Sequence, residues 1–251
     1  MSLLSKDIEQ LQAGSGFKFS AVKVDALRSS EYTLVSLVVD VSESVKKFKT
    51  ALENMLKAVH GACFMSPRKD ALLMRITSFS EVLNELIGFQ LLANIKDTDM
   101  DGILHVGGYT ALFDATMEAL EVTVSQAENL NKLDYTVNAT IYIVTDGENN
   151  RGKVRLSEPI KARVEAIRKA ECLQNILIVL IGVTDNNVSL STYLQDFKDG
   201  AALDQYIDIG TATPGKLAKL GEFISASVSS ASSALAQKQA SQPLDPKPYN
   251  F

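Results

Sequence analysis

The sequence is short of most features that would point quickly to a function. It contains two cysteines, Cys63 and Cys172. Both sit in apolar context without the spacing of a metal site, which excludes a disulfide framework and a zinc motif and predicts reduced core thiols in a reducing compartment. Basic residues are not in excess, since 25 Lys and Arg stand against 30 Asp and Glu for a net charge of −5. Without a basic stripe there is no counterion release to drive binding along a phosphate backbone, so nucleic acid is not an expected partner. No apolar run approaches the ~20 residues that cross a bilayer. The opening "MSLLSKDIEQLQ" lacks the basic-then-apolar order of a secretory signal. A cytoplasmic protein without membrane association is therefore expected. Phosphate-cradling loops are missing too: no G-x-x-x-x-G-K-[ST] or G-x-G-x-x-G follows the first strand. "AGSGF" lies outside any strand–helix turn and lacks G-x-S-x-G spacing, so it is not a nucleophile elbow.

What the chain does contain is an alternation of apolar runs. With 251 residues, 46% of them hydrophobic and 22% charged, it fits one large domain or two small ones and can build a sizeable core. Thr33 to Asp40 reads as a buried strand. Val45, Phe48, Leu52, Leu56 and Val59 then fall on one face of a helix. "ALLMRITSF" and "EVLNELIGF" have almost nothing between them and predict a hairpin. A loop rich in Asp and Gly follows from about Lys96 to Gly108. "TALFDATMEALEVTV" is helical, with Leu112, Ala115, Ala119 and Val122 inward. "VNATIYIVTDG" is a second buried strand. "SEPIKARVEAIRKAEC" is a helix with Ser157 as cap and Pro159 in its first turn. "NILIVLIGVT" and "DQYIDIG" are further strands, and a helix after Pro214 carries Leu217, Leu220, Ile224, Val228, Ala231 and Leu235 on one stripe.

This order predicts an α/β fold: a doubly wound, mostly parallel central sheet with one antiparallel edge strand and helices on both faces. Three segments are expected. Residues 1–30 form an N-terminal extension, in which an alternating "FKFSAVKV" could supply an edge strand. Residues 31–237 form the main domain. Residues 238–251, with three prolines, form an extended tail whose removal should be nearly neutral for stability.

The stretch "TLVSLVVDVSESV" ends a buried strand in Asp40, Ser42 and Ser44. In extended backbone, residues i, i+2 and i+4 project to one side. Three oxygens therefore meet just beyond the strand's carboxyl end, the compact oxygen ligation that a hard cation such as Mg²⁺ prefers. "HVGGYTALFDA" adds Thr110 at the mouth of a helix after Gly107 and Gly108. "IYIVTDGENN" adds Asp146 at the end of the second long strand. Taken singly, each segment also reads as a turn or a helix cap.

These three segments in this order resemble the von Willebrand factor A domain with its metal-ion-dependent adhesion site, over roughly Thr33 to Leu235. Its Asp-x-Ser-x-Ser, Thr and Asp fall on Asp40, Ser42, Ser44, Thr110 and Asp146. The resemblance implies that the serines, and in some states the threonine, bind Mg²⁺ directly, with the aspartates acting partly through water. It also implies a sheet that reverses between the strands ending at Asp40 and Asp146, where an open α/β sheet binds its ligands. Glu43 stands where many members carry glycine, and Val45 where methionine is common. Two carboxylates only just neutralise the ion, so a partner's Asp or Glu is the expected outside ligand, and Mn²⁺ should substitute for Mg²⁺. The implied role is a non-enzymatic, Mg²⁺-dependent protein-interaction module. The resemblance extends to bacterial and phage intracellular members, including those associated with tellurite resistance, that serve multiprotein assemblies or stress responses. The alternatives are a metal-dependent hydrolase or phosphotransfer enzyme on the same sheet, and a structural subunit whose metal site is unused.

Other acidic and basic groups carry weaker signals. "DTDMDG" opens like a calcium loop, but its twelfth position is Gly108 rather than a bidentate Glu, so it reads as an acidic turn. His60 and His105 read as structural or surface residues. Asp114 reads as a favourable partner for a helix N-terminus. Only Glu43, Glu148 and His105 could serve as general bases, too few for an enzymatic assignment.

Overall fold

The computed structural model describes residues 7–251; the reading of the first six residues as free of a secretory pattern lies outside them. The chain forms β1 (Ile8–Gln12), β2 (Lys18–Val22), β3 (Glu31–Asp40), α1 (Lys49–Phe64), β4 (Leu72–Phe79), β5 (Leu83–Leu91) and α2 (Leu112–Asn131). It continues through β6 (Thr136–Thr145), α3 (Glu158–Lys169), β7 (Ile176–Gly182), α4 (Val188–Gly200), β8 (Gln205–Asp208) and α5 (Pro214–Ala236). The eight strands make one sheet in the order β1-β2-β5-β4-β3-β6-β7-β8. From β4 through β3, β6 and β7 to β8 every pairing is parallel, while β5 runs antiparallel to β4. This is the expected mostly parallel, doubly wound α/β fold.

Alternate residues of the central strands feed two core layers. On β3, Leu34 and Val38 face a layer shared with α2, α3 and α4, whereas Val35, Leu37 and Val39 face one shared with α1 and α5. Burial on both faces explains why β3, β6 and β7 read as nearly unbroken apolar runs.

The sheet extends beyond the antiparallel β5. β2 pairs with β5 in parallel through Ala21 and Phe89, and β1 lies antiparallel to β2 at the rim. The close approach of β2 depends on Gly88, where an added Cβ would come within 2.4 Å of the Ser20 Cβ. α4 was not expected from the sequence, although Leu190, Leu194 and Phe197 form its buried stripe and Asn187 caps it through a bond from the Leu190 amide. Ser157 stands at the start of α3 as expected, but its side chain makes no capping bond.

Residues 238–251 contain no regular element beyond one short turn at Lys247–Tyr249. They are not loose, however. Tyr249 and Phe251 both contact Phe223 of α5 edge-on, and the Gln205 side-chain amide donates to the Leu244 carbonyl at 2.8 Å.

Candidate functional site

The path of the chain sets the position of the crevice. From the central β3 it winds outward through β4 and β5, then crosses back over α2 to add β6 on the other side of β3. The carboxyl ends of β3 and β6 therefore border the point where the winding reverses, the location at which open α/β sheets bind ligands.

Four of the five residues singled out in the sequence meet there through hydrogen bonds. The Ser42 amide donates to Asp40 Oδ1 at 2.8 Å, and the Thr145 hydroxyl to Asp40 Oδ2 at 2.6 Å. The Ser42 and Ser44 hydroxyls lie 3.2 Å apart, and Ser44 donates to Asp146 Oδ1 at 2.8 Å. An octahedral Mg²⁺ with bonds of ~2.1 Å holds neighbouring ligand atoms ~3 Å apart, so the spacing of these oxygens suits such an ion. Among the described residues there is no cluster of three or more His, Cys, Asp or Glu side chains that could hold a metal. An ion in this crevice would rest on hydroxyls as much as on carboxylates.

Asp40 is 1% exposed, so this strand-end carboxylate is drawn into the core. Burial pushes its pKa up to about 6, against the lowering effect of the bonds from Thr145 and Ser42, and Asp146 pushes it further in the same direction. Among the described residues no Lys, Arg or His forms an ion pair with it. Asp146 is also raised by burial, opposed by the Ser44 bond and by Lys47. Lys47 itself pairs with Asp185 at 3.2 Å.

Thr110 reaches the crevice differently. Its hydroxyl lies against Gly147, where a Cβ would come within 3.0 Å of it, next to Asp146. It is not free to swing on the flanking glycines. Gly108 takes the left-handed φ of 86° that the turn requires, but the segment is hydrogen-bonded on both sides. The Gly107 amide donates to the Val41 carbonyl and the Glu43 amide to the Gly108 carbonyl. On the other side the Thr110 amide donates to Asn150 Oδ1 at 2.9 Å, and its carbonyl accepts from the Asn150 and Arg151 amides.

The same loop caps α2. That helix begins after Ala111, which has no side chain to offer, and Asn149 Oδ1 accepts from the Phe113 amide instead. Asp114 is more than a dipole partner, because its carboxylate accepts from the Lys153 and Val154 amides. Sequence reasoning missed Thr145, Asn149 and Asn150. The available signal was "TDGENN" itself, since Asn side chains readily bond turn backbone.

The remaining acidic candidates are tied down elsewhere. In "DTDMDG", Asp97 contacts His60, Asp99 accepts from the Lys96 amide, and Asp101 pairs with Lys57, so the three carboxylates diverge. His60 is buried and also reaches the Leu92 carbonyl, a structural role, while His105 is exposed. Both cysteines are free.

No protein-family model matches the chain, and no curated protein matches it. Solved structures do share its fold. One is the PilB minor pilin from Streptococcus sanguinis, in its D319A mutant form, with a TM-score of 0.59 at 15% identity, covering 88% of this chain and 66% of the pilin. Another is the pilus adhesin SpaC from Lactobacillus rhamnosus GG, with a TM-score of 0.57 at 11% identity, covering 92% of this chain and 34% of the adhesin. A third is proximal thread matrix protein 1 from the mussel byssus, with a TM-score of 0.54 at 19% identity, covering 79% and 46%. The chain thus spans between a third and two thirds of the length of these proteins. The likeness to them is one of fold. The proteins that share it are a minor pilin, a pilus adhesin and a thread matrix protein. Their names, a pilin, a pilus adhesin and a byssus protein, contradict the cytoplasmic placement expected from the sequence.

Proposed function

We propose that the chain is a protein-interaction module of the metal-ion-dependent adhesion type, holding Mg²⁺ at the crevice between β3 and β6. The observation that carries this reading is Asp40: a buried carboxylate without a basic ion-pair partner among the described residues, facing a second carboxylate across two hydroxyls. Two negative charges held this way are costly unless a cation joins them. Ser42, Ser44 and Asp146 would hold the ion from the open side. Asp40, with both oxygens already accepting bonds, would act beneath them, and Thr110 would close the set from the α2 side. When bound, the ion supplies a positive centre to which a partner's Asp or Glu can attach. Its three hydroxyl ligands leave that centre incompletely neutralised.

Calorimetric titration tests the assignment. Mg²⁺ and Mn²⁺ are expected to bind, Ca²⁺ to bind poorly because it prefers more and longer oxygen contacts, and Ser42→Ala with Ser44→Ala to abolish binding. Equal Mg²⁺ affinity in wild type and the double variant would reject the site.

A further inference from the structure

Beside the crevice, residues 151–156 form an exposed strip with an unusual charge pattern. Arg151, Lys153 and Arg155 are exposed, whereas the alternating Gly152 and Val154 are turned inward, Val154 packing against the core. None of the three basic side chains forms a salt bridge among the described residues, in a chain whose net charge is −5. Two carboxylates on this face are matched within the chain: Glu43 pairs with Lys46, and Asp185 with Lys47. Glu148 lies towards Tyr193 instead. The strip is also anchored to the crevice. The Arg151 amide bonds the Thr110 carbonyl, and its guanidinium lies 4.1 Å above the ring of the exposed Tyr109. The backbone beyond it is held by Asp114. A stacked Arg–Tyr pair on rigid backbone is the kind of anchor that dominates interfaces.

We propose that this strip is a second recognition element and that the partner is an acidic polypeptide segment. One carboxylate would sit at the crevice, and neighbouring ones on Arg151, Lys153 and Arg155, giving charge complementarity along one line. This rests on the crevice reading above and adds the chemical class of the partner to it. A nucleic acid is disfavoured because three charges in a net-acidic chain neutralise few phosphates.

Fluorescence anisotropy with labelled hexaglutamate tests the proposal on the full chain. Wild type is expected to bind with Mg²⁺ present, more weakly as salt is raised, and in preference to a labelled single-stranded oligonucleotide. The variant R151Q/K153Q/R155Q should bind about tenfold more weakly or worse, as expected for the loss of three exposed ion pairs, while its calorimetric Mg²⁺ titration stays unchanged. K153Q/R155Q, which keeps the Tyr109 stack, provides an intermediate variant should the triple one fold poorly. Loss of binding in the charge variants without any effect of EDTA supports the strip and rejects the metal reading. Loss with EDTA but undiminished binding by the charge variants keeps the metal reading and overturns the strip. Failure of wild type to bind hexaglutamate, or tighter binding of the oligonucleotide, also overturns it.

Discussion

Asp40 combines near-complete burial with a carboxylate, and its folded pKa of about 6 against an ordinary 3.8 fixes how stability should vary with pH. A raised folded pKa means the native state holds its proton where the unfolded chain has released it. The stabilisation is complete below pH 3.8 and is lost as pH rises through 6. In metal-free protein this amounts to a loss on the order of 2–3 kcal/mol across that interval. Asp40→Asn keeps an acceptor for the Ser42 amide and removes the charge, so its melting temperature should exceed that of wild type at pH 7.5 and match it near pH 4. The variant should show no Mg²⁺-induced shift. Parallel pH profiles for the two proteins in calorimetry would refute the electrostatic account. The thiols offer a second residue-scale check. Burial pushes Cys63 up to about 12, whereas Cys172 is only half-buried and rises less. Alkylation of native protein at pH 8 should modify Cys172 first and leave Cys63 untouched until unfolding; mass spectrometry of the digest reads this directly.

Among the elements, the apolar ones were the most legible in the sequence. Strand alternation and apolar stripes located all the central strands and four of the five helices, because burial on both sheet faces leaves a pattern in composition. The helix Val188–Gly200 was missed because its stripe is thin and its start overlaps the polar turn "TDNN". The placement of Asp40, Ser42, Ser44 and Asp146 at one crevice was legible because strand ends and period-two spacing are local properties. The loop-to-loop bonds of Asn149 and Asn150 were not, since their partners lie about 40 residues away. Asn150→Ala should therefore resemble Thr110→Ala, weakening hexaglutamate binding more than Mg²⁺ binding, because both release the same segment. An Asn150→Ala protein indistinguishable from wild type in both titrations would show that this anchoring is dispensable. The sequence also concealed Arg75, which is fully buried on β4. It bonds Glu85 at 2.9 Å and Glu118 of α2 at 2.5 Å. Arg75→Met leaves two glutamates without their cation and should cost about 3–5 kcal/mol in urea unfolding. Adding Glu118→Leu should recover part of that loss.

For the molecule as a whole, the C-terminal segment changes an expectation. A proline-rich stretch with no regular structure reads as dispensable, yet Tyr249 and Phe251 cover Phe223 and pack onto the α1–α5 core layer. Removing residues 238–251 should expose that ring and cost about 2 kcal/mol or more, lowering the melting temperature by several degrees. An unchanged melting temperature would restore the sequence-based view. The difference is physical: isolated aromatics in a tail carry no periodicity, so only their docking reveals them. The central strand has a further consequence, in the order of events during synthesis. β3 is apolar on both faces, and one of its neighbours is β6, with Asp40 and Thr145 joined across 105 residues of chain. Until β6 has been made, one long edge of β3 has no strand to pair with. Such distant parallel pairing is slow to form, and it leaves a sticky intermediate in the meantime. Refolding from urea should accordingly be slow and its yield should fall as protein concentration rises, with the losses traceable to chains that have closed β3 on β4 but not yet on β6.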